Sequence, residues 1–212
     1  MKAGMKSDAG GYPPKDQVLA GLGDKLPPAL ATAVDLTRDD LTAYRQWRPL
    51  WVASHSERGL AAWIHDRLWM HLVALLDGVP DVTLTDREPL REIGVGYNYK
   101  LRIKRHDLDD GIKTYPTQTA LEFLAQVPGQ LPFDGMEEVH LIGGYRWIKD
   151  ERQIGEAIIS LRDGTTVIWT EILSGRQGGT AGGTTLPVTP LPTPPQIDTS
   201  GVERSDDEQE TT

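Results

Sequence analysis

Residues 95–106, VGYNYKLRIKRH, alternate apolar and polar side chains as far as Lys104. A period of two belongs to a strand with one face in a core and one face outside it, so this run commits the chain to a sheet. Val95, Tyr97, Tyr99, Leu101 and Ile103 fall on one face, and Asn98, Lys100, Arg102 and Lys104 on the other. Residues 82–85, 138–147, 154–162 and 165–173 read as further strands, the last two joined through Asp163–Gly164, a strong hairpin signal. Gly143–Gly144 interrupts one of them, which points to a bulge or a close backbone approach. Helices are predicted over 37–47, capped by Thr37 or Asp39 and ended by Pro49, and over 117–126, capped by Thr117 with Leu121 and Leu124 inward. The longest predicted helix is 59–77, with a stripe of Ile64, Leu68, Leu72, Leu75 and Leu76 and a stop at Gly78. Hairpins without repeated βαβ alternation imply an α+β fold: an antiparallel sheet of about five strands backed by one long and one shorter helix.

The ends differ from this middle. Residues 1–27 hold five Gly and three Pro with no apolar periodicity and read as a flexible arm, leaving 28–173 as the α+β core. Residues 174–212 pass from Gly/Thr to Pro/Thr sequence and then to an acidic end, and read as a disordered tail suited to proteolytic turnover. The tail has six acids against two bases, so it carries nearly half of the net charge of −9. There is no apolar run of about 20 residues and no signal-like N-terminal h-region, so a cytoplasmic protein with no membrane contact is expected.

Several chemistries are excluded by residue type. With no Cys, disulfides, thiolate metal sites and cysteine nucleophiles are ruled out. The five histidines, His55, His65, His71, His106 and His140, show no ligand spacing. Residues 107–111, DLDDG, fail the calcium-loop pattern and read as an Asp/Gly turn. Neither G-x-S-x-G nor a P-loop occurs, and nothing in the sequence brings Glu88 to His106 as an acid–base pair. No metal, cofactor or catalytic residue is expected.

Two features point to partners. Lys100, Arg102 and Lys104 lie on one strand face about 6.6 Å apart, with Arg105 and His106 extending the stripe into the following turn. Such a row suits an acidic protein surface or a phosphate backbone, although Tyr97 and Tyr99 fall on the opposite face, where they cannot interleave with the cations to stack bases. Of six Trp residues, Trp69, Trp147 and Trp169 fit a core, whereas Trp47, Trp51 and Trp63 suit an exposed aromatic patch for a partner.

The ordered series Lys104-Arg105-His106-Asp107, Asp110-Gly111-Ile112, Tyr115-Pro116-Thr117, Gly144-Tyr145-Arg146-Trp147 and Ser160-Leu161-Arg162-Asp163-Gly164 resembles a family of small bacterial proteins. Its members are encoded beside a helix-turn-helix regulator fused to an ImmA/IrrE-type zinc peptidase, in pairs that resemble toxin–antitoxin modules of the RosmerTA phage-defence type. The resemblance spans residues 60–173, and its signatures are turns and strands with no catalytic motif among them. It implies a non-enzymatic antitoxin that binds and restrains the neighbouring peptidase-type toxin. Two alternatives stand beside it: a nucleic-acid-binding regulator using the basic strand, and the toxic effector itself, with His106 or Glu88 in an acid–base role.

Overall fold

The computed structural model describes residues 11–87, 90–114, 117–125 and 138–174. The chain divides into a compact unit ending at Gln177 and a second unit, residues 178–212, outside the described residues. The expectations for residues 1–10, for Glu88 and for the tail from 175 onward therefore lie outside them as well.

Four helices come first: α1 (Lys15–Gly21), α2 (Leu26–Trp47), α3 (Pro49–Ser54) and α4 (Glu57–Leu76). Then follow β1 (Val82–Arg87), β2 (Leu90–Val95), β3 (Tyr99–His106), α5 (Gln118–Leu124), β4 (Val139–Ile148), β5 (Gln153–Asp163) and β6 (Thr166–Leu173). The fold is α+β, but the sheet is mixed and has six strands rather than about five. Its order is β1-β2-β3-β4-β5-β6, antiparallel throughout except where β3 and β4 run parallel from Tyr99↔Val139 to His106↔Arg146. A parallel pair cannot be joined by a tight turn, and the stretch from Asp107 to Glu138, including α5, is the crossover that returns the chain.

The alternating run at 95–106 is divided between two strands. Val95 ends β2 and pairs with Tyr99 at the start of β3, and Gly96, at φ 56°, turns the chain between them. Tyr97 sits at the exposed tip of that hairpin instead of in a strand face. From Tyr99 onward the alternation holds.

One face of the sheet is covered by α2 and α4. Leu30, Val34 and Leu41 of α2 and Leu60, Ile64, Leu68 and Leu72 of α4 are buried in one cluster with Ile93, Leu101, Leu141, Ile159 and Leu161 of the strands. Each such side chain withdrawn from water contributes about 1.5–3 kcal/mol. Ser56 caps α4 by accepting the Gly59 N–H at 3.0 Å, and Gly78, at φ 71°, lies just past its end. Leu75, expected in the buried stripe, is partly exposed, whereas Trp69 is buried.

Two expectations about the N-terminal half are corrected. Helix α2 begins eleven residues before Thr37: Pro27 and Pro28 occupy its first turn, where a missing N–H costs nothing. Thr37 is no cap. It is buried mid-helix, its hydroxyl donating to the Ala33 carbonyl at 2.6 Å. Residues 15–27 are likewise not a flexible arm, since Val18, Leu22 and Leu26 recur at helical spacing and are buried in the main cluster. Tyr12 donates to Asp163 Oδ2 at 2.7 Å and Lys15 pairs with Glu171 at 2.8 Å, fastening this segment to the β5–β6 edge.

Among the described residues the second face is covered only in part. Phe123 and Leu124 of α5 pack on Ile142 with Ile112, whereas Leu121, expected inward, is exposed. The short helix turns a different side to the sheet because its last turn, not its middle, makes the contact.

Gly144 explains the double glycine in β4. Its φ is 151°, and a Cβ there would fall far inside van der Waals contact with the Lys104 carbonyl oxygen on the neighbouring strand. Gly144→Ala is expected to cost more than about 4 kcal/mol and lower the Tm by roughly 10 °C or more. Gly94→Ala, whose Cβ would meet only Thr83 at an ordinary 3.7 Å, serves as control and stays within about 1 kcal/mol. Thermal unfolding of the two variants followed by circular dichroism checks both values.

Candidate functional site

The basic stripe is real as sequence but is neutralised in the fold. Strand β3 sends Lys100, Arg102 and Lys104 to the second face, the face that also carries Ile142 and Ser160 of its neighbours. Lys100 Nζ lies 2.8 Å from Glu138 Oε2. Arg102 Nε is 3.0 Å from Glu92 Oε2 across the β2–β3 ladder, and its guanidinium lies 3.8 Å above the Phe123 ring. Arg105 does not continue the row. Alternation turns it to the helical face, where it reaches Glu57 Oε2 at 3.3 Å and the Trp147 ring at 5.5 Å. Lys104 is the cation of this set with no carboxylate beside it among the described residues.

His106 departs furthest from expectation. It ends β3 fully buried, its Nε2 3.2 Å from Ser160 Oγ, which also receives Arg162 Nε at 3.2 Å. Arg162 donates to the Asp110 carbonyl, and Asp110 Oδ1 accepts from both Arg146 Nε and Nη2, at 2.9 and 2.7 Å. Asp110 holds a positive φ of 62° in the Asp/Gly turn, where Asp107 accepts the Gly111 N–H at 2.6 Å. Burial, reinforced by the Arg162 charge, pushes the imidazole down to about 4, so it is neutral at pH 7. The serine and histidine are both sealed from solvent, so this network ties β3, β5 and the 107–111 turn together and offers no nucleophile to a substrate. Polar residues at 160 and 162, two apart and following the apolar run 157–159, are the sequence signal that such a network exists.

The aromatic expectation divides differently. Pro49 excludes Arg48 from helical geometry, so α2 stops at Trp47 and α3 starts at once on a new axis. The break leaves Trp47 64% exposed, Leu50 81% and Trp51 56%. The two indoles meet edge to face with centroids 6.1 Å apart, and the Arg48 guanidinium lies 4.5 Å from one ring and 4.9 Å from the other. Trp63 is not part of this knuckle: it stacks on Tyr44 at 5.0 Å and packs against the core. Tyr44 in turn contacts His55 Nε2 at 3.1 Å. Arg45 and Arg152 lie nearby, each spent on backbone carbonyls, so cations and apolar surface are mixed here.

Among the described residues, no group of three or more His, Asp or Glu side chains converges as a metal site would, and no helix is long and apolar enough to cross a membrane. No family model, curated protein or solved structure matches the chain.

The buried imidazole gives stability a pH dependence of known sign. A histidine whose folded pKa is depressed contributes fully above its unfolded pKa, near 6.5, and the contribution is lost as pH falls toward 4. Between pH 7 and pH 5 the chain is expected to lose about 2 kcal/mol through His106, with His65, also held down by burial, adding in the same direction. Urea unfolding at both pH values checks this, and His106→Gln should remove most of that difference whatever its own stability.

Proposed function

We propose that this chain is a non-enzymatic, antitoxin-like binding protein that docks its partner on the Trp47–Leu50–Trp51 knuckle. The observation that carries this reading is the pair of indoles and the leucine held in water around Arg48, with no cover among the described residues. A monomer gains nothing by exposing three large apolar side chains at one corner, and Trp and Arg are the residue types that dominate binding energy at interfaces. With Arg48 at its centre, the knuckle suits an acidic partner surface that offers an apolar socket. The partner is the helix-turn-helix/zinc-peptidase protein that the family resemblance implies, in a bacterial phage-defence pair.

The alternatives draw less support. A nucleic-acid role would use the basic strand, yet Lys100, Arg102 and Arg105 each have a carboxylate partner already. An effector role built on His106 would need the imidazole to reach a substrate, and it is enclosed.

Co-expression with the neighbouring peptidase-type protein is the test. That protein is expected to be toxic alone, harmless with this chain, and to co-purify with it. The double variant Trp47→Ala/Trp51→Ala should weaken the complex by roughly 100-fold while leaving the Tm almost unchanged, because both rings are solvated in the free chain. A neighbour that is harmless alone, toxicity that persists with this chain present, or undiminished affinity of the double variant would each overturn the reading.

A further inference from the structure

Where β2 diverges from β3 past Glu92↔Arg102, a cavity of about 490 Å³ opens, bounded by α5 on one side and by His65 of α4 on the other. That volume lies within the range of small-molecule sites. Leu90, Phe123 and Ile142 supply apolar wall, and Arg91, Arg102, Lys104 and Thr114 are among the polar residues that line it with them.

The charge balance of the walls is uneven. Arg102 is matched by Glu92, and Arg91 by Asp66 at 2.6 Å and Asp86 at 3.2 Å. His65 adds no charge, since burial and the neighbouring Arg91 keep it neutral. Lys104 is left as one partly buried ammonium without a hydrogen bond or ion pair among the described residues. Thr114 Oγ1, also at the wall, is shielded from solvent and has no hydrogen-bond partner among the described residues. Removing a cation and a hydroxyl from water without partners costs free energy, and such costs are retained where a ligand supplies the missing acceptors. Burial and Arg102 both lower the Lys104 pKa, which an anion would restore.

We propose that this cavity binds a small monoanionic carboxylate with an apolar body, an aryl or short acyl acid, its carboxylate meeting Lys104 and Thr114. Among the described residues the walls carry one uncompensated positive charge, which selects one negative charge, so a dianionic phosphate would overbalance the site. The hydrocarbon walls select a ligand with a non-polar body over a bare inorganic anion.

Calorimetric titration of the full chain with benzoate and hexanoate, against benzamide, hexanamide and inorganic phosphate, tests this. Both carboxylates are expected to bind saturably at one site and raise the Tm, with the amides roughly tenfold or more weaker. Lys104→Met, which keeps the stem and removes the charge, should lower carboxylate affinity at least about tenfold without lowering the Tm. Thr114→Val should weaken it several-fold, and the Trp47→Ala/Trp51→Ala variant should bind as the parent does, which separates this site from the knuckle. The proposal is overturned by no saturable carboxylate binding, by amides binding equally well, by phosphate binding more tightly, by affinity that survives Lys104→Met, or by affinity lost in the tryptophan variant. Should Lys104→Met not fold, the acid–amide comparison on the parent chain and Thr114→Val decide the matter alone.

Discussion

Three antiparallel strands lie on each side of the β3–β4 ladder, and that ladder is where the two halves of the sheet become one. Its register brings the Gly144 backbone against the Lys104 carbonyl, leaving no room for a side chain there, while a Cβ at Gly143 would press on the Leu101 and Leu30 methyls at 3.0 Å. Period-two alternation from this seam then decides the rest. Residues in phase with Leu101 meet α2 and α4, and residues in phase with Arg102 meet α5, the 107–114 segment and the cavity. A slip of one residue would send Lys100, Arg102 and Lys104 into the hydrocarbon core, so the register of this one pair is strongly specified.

Much of the architecture was legible because it rests on local chemistry. The Asp163–Gly164 hairpin, the stripe of α4 and its stop at Gly78 follow from turn propensity and helical spacing, both readable within a few residues. What was not legible depended on tertiary context. Pro27–Pro28 reads as a break but sits where a helix tolerates it, and Val18, Leu22 and Leu26 were hidden among flanking Gly and Pro. The parallel pairing of β3 with β4 follows from where the crossover leads, which no local pattern states. Gly96 cut an alternating run that had looked continuous, because alternation survives a hairpin whose strands share a face.

The candidate surfaces were legible by residue type and misplaced by environment. A row of cations in a sequence says nothing of where its carboxylates are; here Glu138, Glu92 and Glu57 come from three different parts of the chain. The same blindness applied in reverse to Lys104, which gained significance by being left out of that pairing. For the tryptophans, the W-R-P-L-W run contained its own answer, since proline forces the break that turns Trp47 and Trp51 outward. Trp63 carried no such local cause, and its partner Tyr44 is supplied by another helix.

The order of elements has a consequence for synthesis. Both helices that cover the first face precede every strand, so α2 and α4 leave the ribosome before any part of the sheet exists. They pack on each other, which shelters part of their stripes, but Leu30, Ile64 and Leu68 complete their burial only against strands made later. Because β4 and β5 come so late, a chain halted after β3 would hold apolar helices against half a sheet, with the edge of β3 that β4 should occupy left open to other chains.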